Sequence, residues 1–205
     1  MREAIEKLTA RGLLRVTRSG TYVAEFLTPM MQPLASLMAG NPRAAADYFE
    51  FRQGVESQAA RIAALNATSV DKQTISARVK HLRDMQKEGD PERETLADVD
   101  FHLAIYEAGH NVVMLHVMRA LGDLLRNNIF YSRRALYERA GVREKLLEQH
   151  IAIADAVMAG DAEAAAKAAG SHIAYTHGQV QDIQRDNKRL EVSLLRVGRS
   201  DLLAD

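Results

Sequence analysis

Asp98 and His102 stand four residues apart in ADVDFHLAIYEA, so a helix carries both on one face, about a turn apart. His150 lies in LLEQHIAIADAVMAGD and His172 in AAAKAAGSHIAYTH, on opposite sides of a break at Gly160-Asp161. His150 is 10 residues before Gly160 and His172 is 12 after it. At ~1.5 Å of rise per residue, each imidazole is ~15–18 Å from the turn. An antiparallel hairpin of these two helices therefore sets both rings at one level. One carboxylate and three imidazoles from three helices suit a borderline divalent ion such as zinc, nickel or manganese. The interior of a helical bundle is a natural place for such an ion. An ion preferring six ligands would keep two positions for water or a carboxylate ligand.

The remaining histidines read differently. His81 sits in the charged run ARVKHLRDMQK and is expected in solvent, and His177, five residues beyond His172, points elsewhere. His110 precedes Asn111 at a helix end, where capping is the simple account. His116 lies in an apolar stretch and reads as core.

These residues need long helices to carry them, and the punctuation supplies those helices. The patterned runs are 43–66, 70–88, 92–108, 112–138, 143–159 and 162–187. They are separated by Asn41-Pro42, Ser69, Gly89-Asp90-Pro91, Gly109-His110-Asn111, Gly141 and Gly160-Asp161, all start or stop signals. The connections are short, so successive helices pack as antiparallel neighbours. Residues 2–11 form a short amphipathic helix with Ile5 and Leu8 on one face and Gly12 as its stop. LLRV and TYVA, joined by a polar turn holding Ser19 and Gly20, predict a β-hairpin. Residues 25–32 read as a linker into a helix near 31–39, and the tail after Asn187 has no firm pattern.

Composition narrows the field. The 205 residues contain 27 Lys+Arg and 27 Asp+Glu, so no overall field draws the chain to nucleic acid or a membrane. Residues 1–24 are locally basic, with Arg2, Lys7, Arg11, Arg15 and Arg18 against Glu3 and Glu6, net +3. Cysteine is absent, which excludes thiolate metal sites and fits a reducing cytosol. No apolar run approaches the ~20 residues of a membrane span, and signal-peptide features are missing. The expected location is the cytoplasm.

Several of these segments together resemble a known family. DYFEFRQGVESQAARIAA, the Asp98-x3-His102 turn followed by Glu107-Ala108-Gly109-His110-Asn111, and the pair His150 and His172 resemble the FCD effector domain of the FadR subgroup of GntR transcription regulators. The likeness runs from about residue 30 to 185. It implies an all-α antiparallel bundle of six to seven helices, preceded by a partial winged helix-turn-helix. It also implies metal ligands at Asp98, His102, His150 and His172, the four that spacing had picked. A pocket arginine of the family falls on Arg52, whose guanidinium could grip a carboxylate with two prongs. Against that stands a plain surface ion pair with Glu56 at i+4. Arg126, Arg133 and Arg134 are further cations that spacing does not sort.

By the same resemblance, REAIEKLTARGLL is a recognition helix and RVTRSGTYVA a wing. Arg2 would then contact bases or phosphate, and Arg15, Arg18, Ser19 and Gly20 phosphate or the minor groove. Read from composition alone, these arginines only confer solubility. The two helices that open the family's winged domain have no counterpart here, so a longer parent chain and weak or absent operator binding by this piece are expected. The resulting division is 1–27 for the partial DNA-binding unit, 28–187 for the effector and dimerisation unit, and 188–205 for a tail. HNVVMLHVMRAL and YSRRALYER are most similar to regulators answering to lactate, pyruvate or glycolate.

The expected protein is thus a homodimeric regulator that binds operator DNA, a divalent metal and a small hydroxy- or oxo-acid. Two other readings compete. One is a helical dimerisation scaffold with a structural metal. The other is a metalloenzyme, opposed by the single Glu107-x-x-His110 motif where a di-metal site needs paired ones.

Overall fold

The computed structural model describes residues 2–10, 14–17, 20–23, 33, 36, 41–126 and 133–200. The N-terminal unit comprises α1 (Arg2–Ala10) and a two-stranded antiparallel hairpin, β1 (Leu14–Thr17) and β2 (Gly20–Val23). Leu14 pairs with Val23 and Thr17 with Gly20. Gly20 has φ +147°, a backbone setting open to glycine, where the second strand begins. The expected stop at Gly12, the turn residues Arg18 and Ser19, and the linker 25–32 lie outside the described residues. Of the helix expected near 31–39, Pro33 and Ser36 are described, and both are helical.

The bundle begins with α2 (Pro42–Asn66), then α3 (Ser69–Glu88), α4 (Pro91–Ala108) and α5 (Val112–Arg126). It ends with α6 (Arg133–Tyr137), α7 (Val142–Ala159) and α8 (Ala162–Ser200). The starts of α2, α3, α4 and α8 have a chemical cause. Asn41 accepts from the amides of Arg43 and Ala44, and Asp90 from those of Glu92 and Arg93. Both are followed by a proline at the first helical position, where its missing N–H costs nothing. Thr68 and Asp71 form a reciprocal capping box, and Asp161 accepts from Ala164. Gly89 and Gly160 end α3 and α7 in the left-handed conformation.

Of the run expected as one helix over 112–138, α5 to Arg126 and α6 from Arg133 to Tyr137 are helical, and residues 127–132 lie outside the described residues. One boundary changes. The helix expected over 162–187 continues as α8 to Ser200.

α2 and α8 run antiparallel in close contact. Arg61 pairs with Glu163, Ser57 abuts Gly170, and Phe49 stacks on His177 with centroids 4.7 Å apart. α7 and α8 form the expected hairpin, and α3 and α4 pack beside α2 and α7. The core divides into two apolar clusters. One is alanine-rich, with Ala60, Ala63, Ile75, Phe101, Ile153 and Ala169, and the other holds Phe49, Tyr106, Leu121, Leu146, Ile173 and Val180. Alanine at the helix contacts lets backbones approach, and the burial of each large side chain contributes ~1.5–3 kcal/mol. Between the two clusters four helices contribute buried polar residues: Arg52 and Glu56 of α2 between Phe49 and Ala60, His102 of α4 between Phe101 and Tyr106, His150 of α7 between Leu146 and Ile153, and His172 of α8 between Ala169 and Val180.

Candidate functional site

The helical hairpin closes as its spacing requires. The ring centroids of His150 and His172 are 4.4 Å apart, and His102 of α4 lies 5.3 Å from the first and 5.2 Å from the second. His150 Nε2 is 3.2 Å from Asp98 Oδ1, and His102 Nε2 is 4.0 Å from the same oxygen. One donor atom from each of Asp98, His102, His150 and His172 lies within 4.8 Å of every other. All four residues are buried, between 2% and 6% exposed. Dehydrated polar groups at this depth need partners, yet His102 Nε2 makes no hydrogen bond. A buried lone pair facing a carboxylate and two more imidazoles fits a soft-to-borderline divalent cation.

The outer nitrogens of two rings are held. Glu56 Oε2 is 2.9 Å from His102 Nδ1, and Gln149 Oε1 is 3.1 Å from His172 Nδ1. Thr176 donates to the carbonyl of His172 at 3.0 Å, anchoring the backbone under that ring. Such outer partners orient metal-ligating imidazoles. Sequence reading missed both roles. Glu56 entered it only as an ion-pair partner of Arg52, and nothing in the spacing singles out Gln149, which acts across the hairpin on the partner helix.

Electrostatics keep the His172 ring neutral. Burial lowers the pKa of His172 well below the usual imidazole range, and the neighbouring His150 and His102 lower it further, against a smaller opposing pull from Asp98. A neutral imidazole is the ligand form. For Glu56, burial alone would raise the pKa, but His102 and Arg52 outweigh it and hold the carboxyl well below the carboxylate range. Burial and the Glu56 charge raise the phenol of Tyr106, which therefore stays protonated and bonds to Glu56.

Arg52 is a buried residue, 4% exposed, and its Nε donates to Glu56 Oε1 at 2.8 Å. The ion pair weighed from the sequence is thus present, but in the interior and not on the surface. The guanidinium borders a narrow cavity with Asp98, Leu136, Tyr137, Leu146, His172 and Thr176. Its open space of about 10 Å³ is that of one water. The side chains of Arg126, Arg133 and Arg134 lie outside the described residues.

The other histidines do not join the cluster. His110, in the left-handed region at φ 55°, pairs with Asp71 at 3.0 Å; His177 stacks on Phe49 and contacts Gln181. His81 and His116 are half-buried, so the first is less solvated and the second less enclosed than expected. Of the expected DNA-contacting residues, Arg2 lies on α1, Arg15 on β1 opposite Tyr22, and Gly20 opens β2. The side chains of Arg2 and Arg15, and all of Arg18 and Ser19, are outside the described residues.

Comparison with known proteins agrees with this architecture. Residues 47–175 match the FCD domain family. The chain is 36% identical over 195 residues to an Escherichia coli protein named as an L-lactate dehydrogenase operon regulatory protein, covering 92% of this chain and 74% of the relative. It is 30% identical over 176 residues to the HTH-type transcriptional regulator LutR of Bacillus subtilis, covering 84% and 80%. Among solved structures it superposes on Streptococcus agalactiae GntR with TM-score 0.61 at 23% identity, over 85% of this chain and 78% of that one, a likeness of fold. These relatives are transcription regulators, not enzymes.

Proposed function

The chain belongs to the FadR subgroup of GntR transcription regulators with an FCD domain, and from that premise we propose a metabolite-responsive regulator whose bundle holds a divalent metal and a small hydroxy- or oxo-acid. The observation that carries this reading is the closed ring of Asp98, His102, His150 and His172 with the buried Arg52 on the same cavity. The four side chains would hold zinc, nickel or manganese, which would supply a fixed positive charge to anchor a carboxylate. Arg52 would grip the acid from the other side of the cavity. Apolar Leu136, Tyr137 and Leu146 wall the cavity and favour a short acid with little more than a methyl group.

A one-water cavity does not admit even such an acid without movement. Leu136 and Tyr137 belong to the short α6, so binding would displace that helix from the bundle. A displacement that occurs only with the acid bound is what converts binding into a change of shape. A coupling of ~1–3 kcal/mol between acid and DNA suffices for a 5–150-fold change in operator affinity.

The rest of the reading concerns DNA. Residues 1–27 would be the recognition helix and wing of a winged helix-turn-helix, a role supported by α1 and the hairpin that follows it. Arg2, Arg15, Arg18, Ser19 and Gly20 would meet the duplex, and residues 28–187 would bind the effector and dimerise, so that paired recognition helices read paired half-sites. Residues 188–205 would be an appendage of the last helix. Such a regulator works in the cytoplasm; no helix among the described residues is long and apolar enough to cross a membrane.

The smallness of the cavity favours a second reading, a dimerising scaffold in which the metal is structural. Thermal melts separate the two. Zinc- or nickel-loaded protein is titrated with L-lactate, glycolate and pyruvate, and binding raises the melting temperature. Acid-dependent stabilisation that vanishes in both His150→Ala and Arg52→Ala supports sensing. Stabilisation by metal alone, with no increment from any acid, sinks it in favour of the scaffold.

A further inference from the structure

We propose that Glu56 is the positioning residue that couples the acid site to the metal site, and this rests on the metal-and-acid reading above. Its carboxylate is 2% exposed, and its two oxygens serve different masters. Oε1 accepts from Arg52 Nε at 2.8 Å, and Oε2 meets His102 Nδ1 at 2.9 Å. Tyr106 bonds to the same group. An ionised carboxylate can only accept, so every neighbour must donate. Arg52 always does. A neutral His102 must therefore carry its proton on Nδ1, which leaves the Nε2 lone pair directed at Asp98 and the other rings.

The direction of the coupling follows from charge. The Arg52 guanidinium neutralises much of the Glu56 carboxylate. An acid anion arriving on Arg52 shares that positive charge. Glu56 then pulls harder on the Nδ1 proton of His102, and Nε2 becomes the stronger base. Acid binding therefore tightens the metal, and by linkage the metal tightens the acid to the same degree. A glutamine cannot replace this carboxylate. Its one oxygen is claimed by Arg52, and its NH2 group then faces Nδ1 as a donor. That arrangement moves the ring proton to Nε2, where it points into the cluster and obstructs coordination.

Two measurements test the proposal. Long-range 1H–15N correlation of the neutral His102 ring in metal-free wild-type protein should report the Nδ1–H tautomer; an Nε2–H tautomer overturns the assignment, whatever the metal does. Zinc affinity is then measured by chelator competition with and without saturating L-lactate. In wild type it should rise about fivefold or more with the acid. In Glu56→Gln it should fall ~10–100-fold, and the rise with acid should shrink below the wild-type value. Gln149→Ala, which releases only His172, should weaken zinc yet keep the wild-type response to acid. Equal acid dependence in wild type and Glu56→Gln, or none in zinc-loaded wild type, overturns the coupling. Failure of wild type to bind zinc overturns the metal reading, and the coupling with it, while the tautomer still decides whether Glu56 positions His102. Should Glu56→Gln not fold, which circular dichroism reveals, the tautomer and the wild-type acid response carry the decision.

Discussion

His150 and His172 face each other across the Gly160 turn with ring centroids 4.4 Å apart, although 22 positions separate them in the chain. Their meeting depends on a left-handed residue at Gly160, φ +75°, whose ideal Cβ would lie 3.7 Å from the carbonyl of Ala64. Gly160→Ala should therefore cost ~1 kcal/mol or more through backbone strain. Because the strain acts on the turn that sets the level of both rings, metal-induced stabilisation should fall in the same variant. Melting curves with and without zinc measure both effects.

His172→Ala should separate stability from ligation. Without metal it removes a buried neutral ring hydrogen-bonded to Gln149, a loss of ~1–3 kcal/mol. With zinc at 1,000 times its dissociation constant, the wild type gains ~4 kcal/mol, and the variant should lose most of that gain. A difference in unfolding free energy that is the same with zinc and with chelator would count against coordination by this residue.

Arg52→Ala should be among the most damaging single substitutions in the bundle. It strands the Glu56 carboxylate at 2% exposure with its only full positive charge among Arg52, His102 and Tyr106 gone. Removing one member of a buried ion pair costs ~3–5 kcal/mol. The double variant Arg52→Met with Glu56→Leu should recover a good part of that stability while remaining blind to acids. Urea denaturation gives the first quantity and acid titration the second.

The clustering of Asp98, His102, His150 and His172 was legible because a helix has a fixed repeat. An i, i+4 pair must share a face, and two residues nearly equidistant from a glycine turn must meet if the hairpin is antiparallel. Helix starts were legible for a similar reason, since Asn41-Pro42 and Asp90-Pro91 state their own chemistry. What lay beyond reach was decided by tertiary contacts. Glu56 and Gln149 matter through rings on other helices, and no spacing within α2 or α7 reveals that. The continuation of α8 to Ser200 was equally hidden: residues 188–200 lack one consistent apolar face, with Leu190, Leu194 and Leu195 all exposed, yet they contain no proline and only one glycine to stop the helix.

Gly170 gives a prediction that links packing to the site. A Cβ there would come within 2.6 Å of Ser57 Oγ, where α8 crosses α2. A serine hydroxyl can rotate away, so Gly170→Ala should be tolerated, more so with Ser57→Ala. Gly170→Val cannot be relieved by one rotation and should cost ~1–3 kcal/mol through overpacking. His172 is two residues on, so the helix shift should also weaken zinc binding. Wild-type zinc affinity in Gly170→Val would show that the cluster tolerates movement of α8.

Asp71 carries the clearest pH dependence outside the cluster. Its Oδ2 accepts from the Thr68 amide at 2.8 Å and the Thr68 hydroxyl at 2.6 Å, and it lies 3.0 Å from His110 Nε2. It thereby ties the turn between α2 and α3 to the turn between α4 and α5. The Thr68 hydroxyl bond is the main cause of its lowered pKa, with His110 adding a smaller share against the opposing effect of burial. A carboxyl that binds its proton less readily when folded favours the folded state wherever it is ionised. Its contribution is therefore fully present above the unfolded value, near 3.8, and disappears as pH falls through the lower folded one. Asp71→Asn keeps the side chain's shape and removes its charge, so it should cost under about 1 kcal/mol at pH 7, the scale of a partly exposed ion pair. The gap between wild type and variant should narrow below pH 3.8, as wild-type Asp71 takes up its proton. Urea midpoints for the two proteins across that range decide it, and a gap that stays constant in acid would mean that the ionised carboxylate contributes nothing beyond its neutral isostere.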